Sequence, residues 1–339
     1  MTQFDPAMRR ALELALLGPA HGVNPQVGAV ILDADLNIVA EGYHKGSGTA
    51  HAEVVALEAL RQTKSFPLQP GFTAVVTLEP CNHTGRTGPC AQALIEAGIS
   101  RVVFASKDPG DASSGGGQTL LDAGVDVIDG VLLEQAENQG RVWLSAYRNQ
   151  RPFVTLKWAS SLDGRTAAQD GSSKWISGAA SRNDSHLRRS EVDAILVGTG
   201  TVVADDPELT ARRPDGSLYE HQPLRVVLGK RELESDLRVF NDKAATLRLR
   251  TNSVAEALAD LWQRGIKHVW VEGGPHVASE FVKQDLVDEF VIYLAPMLLG
   301  GNRTSITDLG IASMDQALEL EILEHKMLEP DVFIRARRK

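Results

Sequence analysis

Short apolar runs separated by amphipathic stretches make up the first 150 residues of the chain. Runs such as Val27–Leu32 have the length and β-branched content of buried strands, whereas Pro6–Leu17 carries apolar residues at helical spacing and ends at Gly18-Pro19. This alternation predicts an α/β domain. The predicted strands are Val27–Leu32, Ile38–Gly42, Thr73–Leu78, Arg101–Ala105 and Val125–Ile128, and the predicted helices lie near Pro6–Leu17, His51–Gln62, Cys90–Ala97 and Gln118–Ala123, with a last helix ending near Tyr147.

A second alternating pattern begins after Pro152. The segment Arg148–Pro152 is polar and ends in a proline, which stops the preceding helix, so we place a domain boundary there and predict two domains, 1–149 and 150–339. The second domain also reads as α/β and ends in two paired strands. Its predicted strands are Phe153–Ala159, Ala194–Gly198, Leu224–Leu228, His268–Glu272, Glu289–Leu294, Leu318–Leu328 and Val332–Arg337, with helices near Ala179–Ser190, Val254–Arg264 and His276–Gln284.

The composition narrows the classes of protein that fit this pattern. A chain of 339 residues exceeds what one hydrophobic core usually organises, in agreement with two domains. The net charge of −9 and the scattered basic residues argue against nucleic acid as the main partner, while a local basic pocket for a phosphorylated ligand stays open. The amino terminus lacks the layout of a signal peptide and no apolar run approaches a membrane span, so we expect a cytoplasmic protein that does not associate with membranes.

Three metal-binding side chains follow one another at intervals that suit a catalytic zinc site. The chain has two cysteines, Cys81 after a predicted strand and Cys90 at the start of a predicted helix, and His51 opens an earlier helix. One imidazole and two thiolates supply the three protein ligands of a catalytic zinc ion and leave a position for water. Glu53 is not needed as a ligand and suits the glutamate that moves protons in zinc-dependent deaminases.

Each of these residues also has an ordinary explanation. A histidine at a helix start is commonly a cap or a solvated side chain, and a lone cysteine is commonly buried packing. Those explanations do not account for both cysteines of the chain lying downstream of His51-Ala52-Glu53 in the order that the deaminase signature requires. We therefore interpret the N-terminal half as a zinc-dependent deaminase.

The motifs around these residues resemble those of a known family. Most members of the cytidine deaminase superfamily place two residues between the cysteines, whereas eight residues separate Cys81 from Cys90 here. This longer segment resembles the deaminase half of the bifunctional riboflavin-biosynthesis deaminase/reductase family. The matching segments are Asn24–Gly28, Gly42–His44, His51–Glu53 and Thr77–Cys90. The resemblance implies an α/β/α layered, cytidine-deaminase-like fold and a diaminohydroxypyrimidine substrate that carries a phosphoribosylamino group.

The same resemblance implies four substrate-binding residues in this half. Asn24 and His44 are expected to contact the pyrimidine or the sugar, and His83 and Arg86 offer donors for the ribose phosphate. From the residues alone, Asn24 is equally a turn residue and His44 equally a surface residue. The segment 109–112 departs from the Asp-Pro-Asn-Pro that the family usually shows, so the contacts of the loop 107–117 stay open.

Two glycine-bearing turns in the second half, Val197–Thr201 and Val271–Pro275, each follow a predicted strand. No G-x-G-x-x-G pattern follows a strand, so a Rossmann domain is not indicated. Backbone amides at a helix start can hold a phosphate, but a glycine after a strand is more often only a turn. The residues alone leave both interpretations open.

Several segments of this half resemble the reductase half of the same family. They are Arg151–Lys157, Ser161–Arg165, Ser173–Ser177, Ala204–Pro207 and Glu272–Pro275. The resemblance implies a dihydrofolate-reductase-like α/β fold that uses NADPH to reduce the ribosyl side chain of the deaminated pyrimidine to a ribityl chain.

The resemblance also implies the residues that bind the two ligands of the reductase. The cofactor-binding positions are Ala159, Trp175, Thr201, Asp205, Gly274, Pro275, His276, Val277, Ala278, Ser279 and Glu280. The substrate-binding positions are Ser173, Arg189, Leu209, Arg212 and Glu272. We expect Arg189 and Arg212 to clamp the ribose phosphate, because guanidinium forks suit its oxygens.

Lys157 lies inside an apolar predicted strand, where a buried ammonium needs a partner. We expect it to pair with Glu272 and both residues to be catalytic, moving protons at the sugar carbon. A role in binding alone stays open.

One region departs from the reductase half of the family. Gly229 stands where relatives usually have an aspartate, and Arg231–Thr251 is short, highly charged and without a clear apolar strand. Because this region borders the adenosine side of the cofactor site, the preference between NADPH and NADH stays open.

The sequence thus predicts a bifunctional enzyme of riboflavin biosynthesis with Zn²⁺ in the first domain and NADPH in the second. Its substrate is a small molecule, and the family resemblance implies a homo-oligomer. Three alternatives remain: a deaminase whose second half is a degenerate or regulatory module, a deaminase of nucleic-acid bases, and a nucleotide-binding protein without catalysis. The acidic charge argues against the second of these.

Overall fold

The computed structural model describes residues 2–62, 71–83 and 88–339. The chain divides into two compact units, Met1–Gln150 and Arg151–Lys339, each with its own sheet. The division falls within the polar segment Arg148–Pro152, one residue after the boundary expected from the sequence.

The N-terminal unit contains a five-stranded mixed sheet. Its helices are α1 Asp5–Ala15, α2 Ala52–Arg61, α3 Cys90–Glu96, α4 Gly116–Asp122, α5 Leu133–Gln139 and α6 Arg141–Asn149, and its strands are β1 Gly28–Leu32, β2 Ile38–Tyr43, β3 Thr73–Leu78, β4 Arg101–Ser106 and β5 Asp126–Asp129. The strand order is β2-β1-β3-β4-β5, in which β1 runs antiparallel to both of its neighbours and β3, β4 and β5 run parallel.

Strand β1 explains how this sheet comes to lie between two layers of helices. All five of its residues are buried, and successive side chains of a strand point to opposite faces. Ala29 and Ile31 pack in a cluster with α2, α3 and α4, whereas Val30 and Leu32 pack in a cluster with α1 and α5. The predicted α/β/α layering is therefore confirmed.

The C-terminal unit contains an eight-stranded sheet. Its helices are α7 Ala179–Arg189, α8 Thr199–Asp205, α9 Val254–Gln263 and α10 Pro275–Lys283, and its strands are β6 Phe153–Ser161, β7 Ala194–Gly198, β8 Leu224–Leu228, β9 Thr246–Leu249, β10 His268–Val271, β11 Glu289–Ala295, β12 Leu320–Leu328 and β13 Asp331–Arg338. The order is β12-β13-β11-β6-β10-β7-β8-β9; the six strands from β11 to β9 run parallel, and β12 and β13 are antiparallel.

Both faces of this second sheet carry apolar clusters. On one face Leu156 and Leu196 pack against α9 and α10, and on the other Val197 and Trp270 pack against Val202 of α8. The parallel strands are buried on both faces, which is why they read in the sequence as continuous apolar runs. Because these strands are parallel, their carboxyl ends lie along one edge of the sheet, where ligands bind in open α/β folds.

Two elements of this unit differ from the sequence-based expectation. The turn beginning at Gly198 continues into α8, and the segment expected to lack a strand contains β9, which pairs in parallel with β8. Glycine and threonine at the start of α8 hide its helical period, and β9 has only four residues, two of them charged or polar. Both elements are stabilised by contacts with distant parts of the chain, which the local pattern of apolar and polar residues does not show.

The helices of the described chain are short. The longest, α1 and α7, have 11 residues each. Within the described ranges, no helix combines the length and the apolar surface that crossing a bilayer requires.

Candidate active sites

The three predicted metal ligands lie together at one edge of the first sheet. His51 precedes α2, Cys81 follows β3 by three residues, and Cys90 begins α3. The Nδ1 atom of His51 lies 3.5 Å from the Sγ atom of Cys81 and 3.2 Å from that of Cys90. All three donor atoms lie within 4.8 Å of one another.

This donor set fits a catalytic zinc ion. Both cysteines are buried and free of disulfide, and the backbone amide of Cys90 approaches the Sγ atom of Cys81 at 3.5 Å. A hydrogen bond from the Cys90 thiol lowers the pKa of Cys81, which favours the thiolate that a zinc ion requires. Two sulfurs and one imidazole nitrogen leave the fourth zinc position to water.

Glu53 is buried on the first turn of α2, two residues from His51. Burial raises the pKa of its carboxyl group to about 7, and a hydrogen bond with its own backbone amide opposes this shift. A carboxyl group whose pKa lies near neutrality can both take up and release a proton. The position therefore suits the proton-transfer role predicted for Glu53.

Asn24 and His44 form a hydrogen-bonded pair beside the metal ligands. The Nδ1 atom of His44 lies 3.1 Å from the carbonyl oxygen of Ala50, and the amide nitrogen of Asn24 lies 2.9 Å from Nε2. His44 therefore donates through Nδ1 and accepts through Nε2, and burial lowers its pKa, which favours this neutral form. The His44 ring stands edge-on to the His51 ring at 5.3 Å, so the pair borders the site.

His83 and Arg86 complete the predicted substrate contacts of this half. His83 follows Cys81 by two residues, and its buried Nδ1 atom has no hydrogen-bond partner among the described residues. A buried polar atom without a partner is a position at which a ligand group can bind. Arg86 lies outside the described residues.

The loop 107–117 is anchored by a residue that the sequence analysis did not single out. The buried Glu79 carboxylate accepts hydrogen bonds from the amides of Gly117, at 2.9 Å, and Asp108, at 3.2 Å. The amide of Asn82 also donates to the carbonyl of Ser113 at 2.8 Å. The loop is therefore held against the segment that carries Cys81. The sequence feature that could have pointed to Glu79 is its place as an acidic residue directly after the apolar strand β3.

The second unit has a cleft of about 640 Å³ at the carboxyl ends of β6, β7, β8 and β10. Eight of the predicted cofactor-binding residues line it, namely Ala159, Thr201, Asp205, Gly274, Pro275, His276, Val277 and Glu280. A Cβ atom on Gly273 would lie 2.7 Å from the side chain of Val277, so this turn requires glycine. The amide of Gly274 donates to the hydroxyl of Thr201 at 3.0 Å, which ties the starts of α8 and α10 together.

Three other predicted cofactor-binding residues lie elsewhere. Ala278 packs in the apolar core, and the hydroxyl of Ser279 accepts a hydrogen bond from the amide of Thr307 at 2.8 Å. Both face away from the cleft because they lie on the inward side of α10. Trp175 is exposed and lines a neighbouring, smaller cleft, where the guanidinium of Arg182 lies over its ring.

This smaller cleft, of about 290 Å³, contains all the predicted substrate-binding residues of the reductase. They are Ser173, Arg189, Leu209, Arg212 and Glu272, and Lys157 lines the same cleft. The two clefts share Ser173, Asp205 and Glu272. A substrate in the smaller cleft and a cofactor in the larger one would therefore meet beside Glu272.

Glu272 is the centre of a charged network between the clefts. Its two carboxylate oxygens accept hydrogen bonds from Nε and Nη2 of Arg189 at 2.7 and 2.8 Å, and one also accepts from the indole of Trp270 at 2.7 Å. Lys157 lies 3.6 Å away, so the expected ion pair is present. Burial alone would raise the pKa of Glu272, but the Arg189 and Lys157 charges lower it well below its usual range.

Arg189 lies in the expected cleft, and its guanidinium has partners within the protein. Two nitrogens of this guanidinium, which the family resemblance places at the ribose phosphate, bind Glu272, and the third donates to the carbonyl of Thr210 at 3.1 Å. A guanidinium held by a carboxylate in this bidentate manner has few donors left for a phosphate. Arg189 borders the substrate cleft, but here it holds Glu272.

His186 was missed by the sequence analysis. It lines the substrate cleft, donates from Nδ1 to the carbonyl of Thr210 at 3.1 Å, and accepts at Nε2 from Arg212 at 3.2 Å. Burial, Arg189 and Arg212 together lower the pKa of His186 to about 4, so the ring is neutral at pH 7. His186 and Arg189 are three residues apart on α7, and residues at this spacing lie on one face of a helix. This spacing could have identified His186 from the sequence.

Two family models match the chain. The cytidine and deoxycytidylate deaminase zinc-binding region matches residues 1–106, and the RibD C-terminal domain matches residues 152–334. The fold and the two sites therefore define a zinc-dependent deaminase joined to a reductase.

Full-length relatives are similar over both halves. A riboflavin biosynthesis protein RibD of Mycobacterium tuberculosis is 47% identical over 98% of this chain and 96% of its own length. Among solved structures, RibD of Acinetobacter baumannii has a TM-score of 0.89 at 35% identity, over 99% of both chains. A diaminohydroxyphosphoribosylaminopyrimidine deaminase/5-amino-6-(5-phosphoribosylamino)uracil reductase of Thermotoga maritima has a TM-score of 0.88 at 34% identity, also over 99% of both chains. The chain belongs to the RibD family of riboflavin-biosynthesis enzymes.

These matches confirm several predictions from the sequence. The deaminase and reductase folds, the role in riboflavin biosynthesis and the cofactors Zn²⁺ and NADPH are those of the family. The alternatives in which the second half is only a regulatory module, or in which the protein lacks catalysis, do not fit this family.

Proposed function

We propose that residues 1–149 deaminate 2,5-diamino-6-(5-phosphoribosylamino)pyrimidin-4-one and that residues 150–339 reduce the ribosyl side chain of the product to a ribityl chain. The observation that carries the proposal is the pair of clefts that meet at Glu272, together with the cluster of His51, Cys81 and Cys90 in the other unit. The Thermotoga relative, which is similar over its full length, is described by the same two reactions.

In the deaminase, His51, Cys81 and Cys90 would hold the zinc ion. The ion supplies Lewis-acid activation of a water molecule. Glu53 accepts a proton from the water as its oxygen bonds to the amino-bearing ring carbon, and then delivers a proton to the amino group, which leaves as ammonia. The burial of Glu53, which raises its pKa to about 7, supports both halves of this transfer.

Four residues of the deaminase orient the substrate in this proposal. Asn24 uses its amide nitrogen for His44, which leaves its carbonyl oxygen for an amino or amide group of the pyrimidine. His83 and Arg86 bind the ribose phosphate. The buried Nδ1 atom of His83, which has no partner among the described residues, supports this role.

In the reductase, the residues that line the larger cleft would hold NADPH, and the backbone amides at the start of α10, beside Gly274, would suit its phosphate groups. NADPH supplies the reducing electrons. The electrons reach C1′ of the ribose as a hydride while its bond to the ring oxygen breaks, and Lys157 delivers the proton that this oxygen takes up. Glu272 holds the Lys157 ammonium at 3.6 Å. Ser173 and Arg212 hold the substrate in the smaller cleft, which places the sugar between Lys157 and the cofactor.

The proposal extends to the state of the protein in the cell. We place it in the cytoplasm as a homo-oligomer, and the support for the homo-oligomer is the family resemblance stated above. Light scattering coupled to size-exclusion chromatography tests the second statement, and cell fractionation tests the first.

The experiment that tests the two-site proposal measures ammonia release and NADPH oxidation together, in wild type and in Glu53→Ala. Wild type is expected to carry out both reactions on the diaminopyrimidine. The variant is expected to lose roughly 10²–10⁴-fold in ammonia release, because it lacks the proton-transfer group, and to oxidise NADPH normally when given the deaminated intermediate. Ammonia without NADPH oxidation in wild type would contradict the reductase assignment, and no ammonia from zinc-loaded protein would contradict the substrate.

A further inference from the structure

The charged segment between β8 and β9 has no role in the function described so far. It carries a short 3-10 helix, Arg238–Phe240, whose Val239 is fully buried in an apolar cluster. The backbone amide of Arg238 donates to the carboxylate of Asp206 at 2.8 Å, and Asp206 lines the substrate cleft. The middle of this segment is therefore packed against the substrate cleft.

A buried arginine fixes the segment in this place. Arg225, on β8, is fully buried and donates from Nη1 to the side-chain oxygen of Asn241 at 2.8 Å and from Nη2 to its carbonyl at 2.6 Å. It also donates to the carbonyls of Ala244 and Glu208. Because one guanidinium binds both chain segments, the position of residues 238–244 relative to Glu208 is set by the core of the sheet.

The Glu208 carboxylate gathers three positive charges. It lies 3.0 Å from Arg212, 3.5 Å from Arg238 and 2.6 Å from Lys243, and it is buried. Burial would raise the pKa of Glu208, but Lys243 and then Arg238 and Arg212 lower it, so the carboxylate is ionised at neutral pH. Three cations therefore converge on one carboxylate at this end of the cleft, which Asp206 also lines.

Two of the three cations can reach a ligand. Arg212 and Arg238 line the substrate cleft, whereas Lys243 does not. The side chain of Arg238 is 54% exposed, and its one ion pair among the described residues, at 3.5 Å to Glu208, leaves most of its donors available. Arg189 and Arg212 each make three hydrogen bonds within the protein, so Arg238 has the most donors left for a ligand.

We propose that Arg238 is a phosphate-binding residue of the reductase, which binds the 5-phosphate of the substrate together with Arg212. This inference rests on the proposed function, since it names a further ligand of the same substrate. Arg225 and Glu208 are positioning residues: Arg225 holds the segment, and Glu208 orients the two arginines toward one point. A phosphate dianion suits two guanidinium groups better than one, because each presents a planar pair of donors.

The test uses the full-length enzyme with NADPH and the deaminated intermediate, and compares Arg238→Ala with a matched control, Arg231→Ala. Arg231 is an exposed arginine of the same segment and does not line either cleft. Arg238→Ala is expected to raise the KM for the intermediate about tenfold, which corresponds to ~1.4 kcal/mol, with kcat and the KM for NADPH within about twofold of wild type. Arg231→Ala is expected to resemble wild type.

Inhibition by ribose 5-phosphate separates phosphate binding from a general effect on the cleft. The inhibition constant of ribose 5-phosphate is expected to rise about tenfold in Arg238→Ala, and Arg238→Lys, which keeps the charge, is expected to recover part of the loss. Equal inhibition constants in Arg238→Ala and Arg231→Ala would overturn the inference, as would equal losses in both variants. If wild type neither reduces the intermediate nor is inhibited by ribose 5-phosphate, the proposed function fails instead.

Discussion

The two sites of this protein are built in opposite ways. The deaminase site takes its metal ligands from a short stretch of chain and from rare residue types, since Cys81 and Cys90 are the only cysteines. The reductase site takes common charged residues from distant positions: Arg189 and Glu272 are 83 residues apart in the chain and 2.7 Å apart in space. The residue types of the first site are enough to indicate its chemistry. The chemistry of the second site depends on which of its charged side chains form pairs.

The largest expected effect follows from removing one metal ligand. Cys90→Ala leaves two protein ligands, which do not hold a catalytic zinc ion firmly, so we expect loss of the metal and a fall in deaminase activity of roughly 10³-fold or more. NADPH-dependent reduction of the deaminated intermediate is the internal control and should stay near wild type. Metal analysis of the purified variant checks the first point. A variant that keeps zinc and activity would remove Cys90 from the ligand set.

The next effect is expected from Glu272→Gln. This change leaves Arg189 and Lys157 as buried charges without their carboxylate, which costs about 3 kcal/mol in comparable buried pairs. We expect reductase activity to fall to background and the second unit to unfold at a lower urea concentration, as followed by loss of NADPH binding. Deaminase activity, measured without urea in the same preparation, should be unchanged. If only activity falls and stability does not, the network is catalytic without being structural.

The smallest expected effect concerns His186, whose Nε2 atom orients Arg212. His186→Leu removes the acceptor of a hydrogen bond from the charged Arg212 guanidinium, worth roughly 1.5 kcal/mol, together with the bond to the Thr210 carbonyl. The KM for the deaminated intermediate should therefore rise about tenfold, with little change in kcat. His186→Gln restores an acceptor near Nε2 and should lie within about twofold of wild type. Equal KM values in the two variants would show that the acceptor does not matter.

The pH dependence of stability gives His186 a second readout. Its folded-state pKa of about 4 is below the unfolded value of about 6.5. The unfolded chain therefore binds the proton more readily, and stability that is present above about pH 6.5 is lost as the pH falls toward 4. Burial, Arg189 and Arg212 lower this pKa against the opposing effects of Glu272 and the Thr210 carbonyl. Between pH 7 and 5, wild type should lose more stability than His186→Gln, and parallel curves would contradict the lowered pKa.

The deaminase site was largely accessible from the sequence. The order of His51, Glu53, Cys81 and Cys90 predicts the metal and the proton-transfer group, because few other arrangements explain rare ligands at those intervals. Glu79 was not predicted. Its carboxylate accepts hydrogen bonds from the backbone amides of Asp108 and Gly117, which lie close to it only in the folded chain.

The reductase site was accessible only in outline. The family resemblance predicts which residues border the clefts, and the structure places Ser173, Arg212 and Glu272 there. The sequence pattern does not show whether an arginine side chain binds a carboxylate of the protein or a ligand. Arg189 was therefore expected at the phosphate, while Arg238 was not considered, because it lies in a segment that matches no motif.

The class of the reductase reaction came from the resemblance to a known family. The sequence by itself determined the two α/β domains, the predicted metal ligands and the class of the first reaction. These depend on local periodicity and on the identity of a few side chains, which are already present in the unfolded chain. The tertiary structure decided which charges are paired: Glu272 with Arg189, Glu208 with three cations, and Arg225 with the carbonyls of a distant loop. Pairing depends on burial and on distances of a few ångströms, and both arise only when the sheet has brought remote segments together.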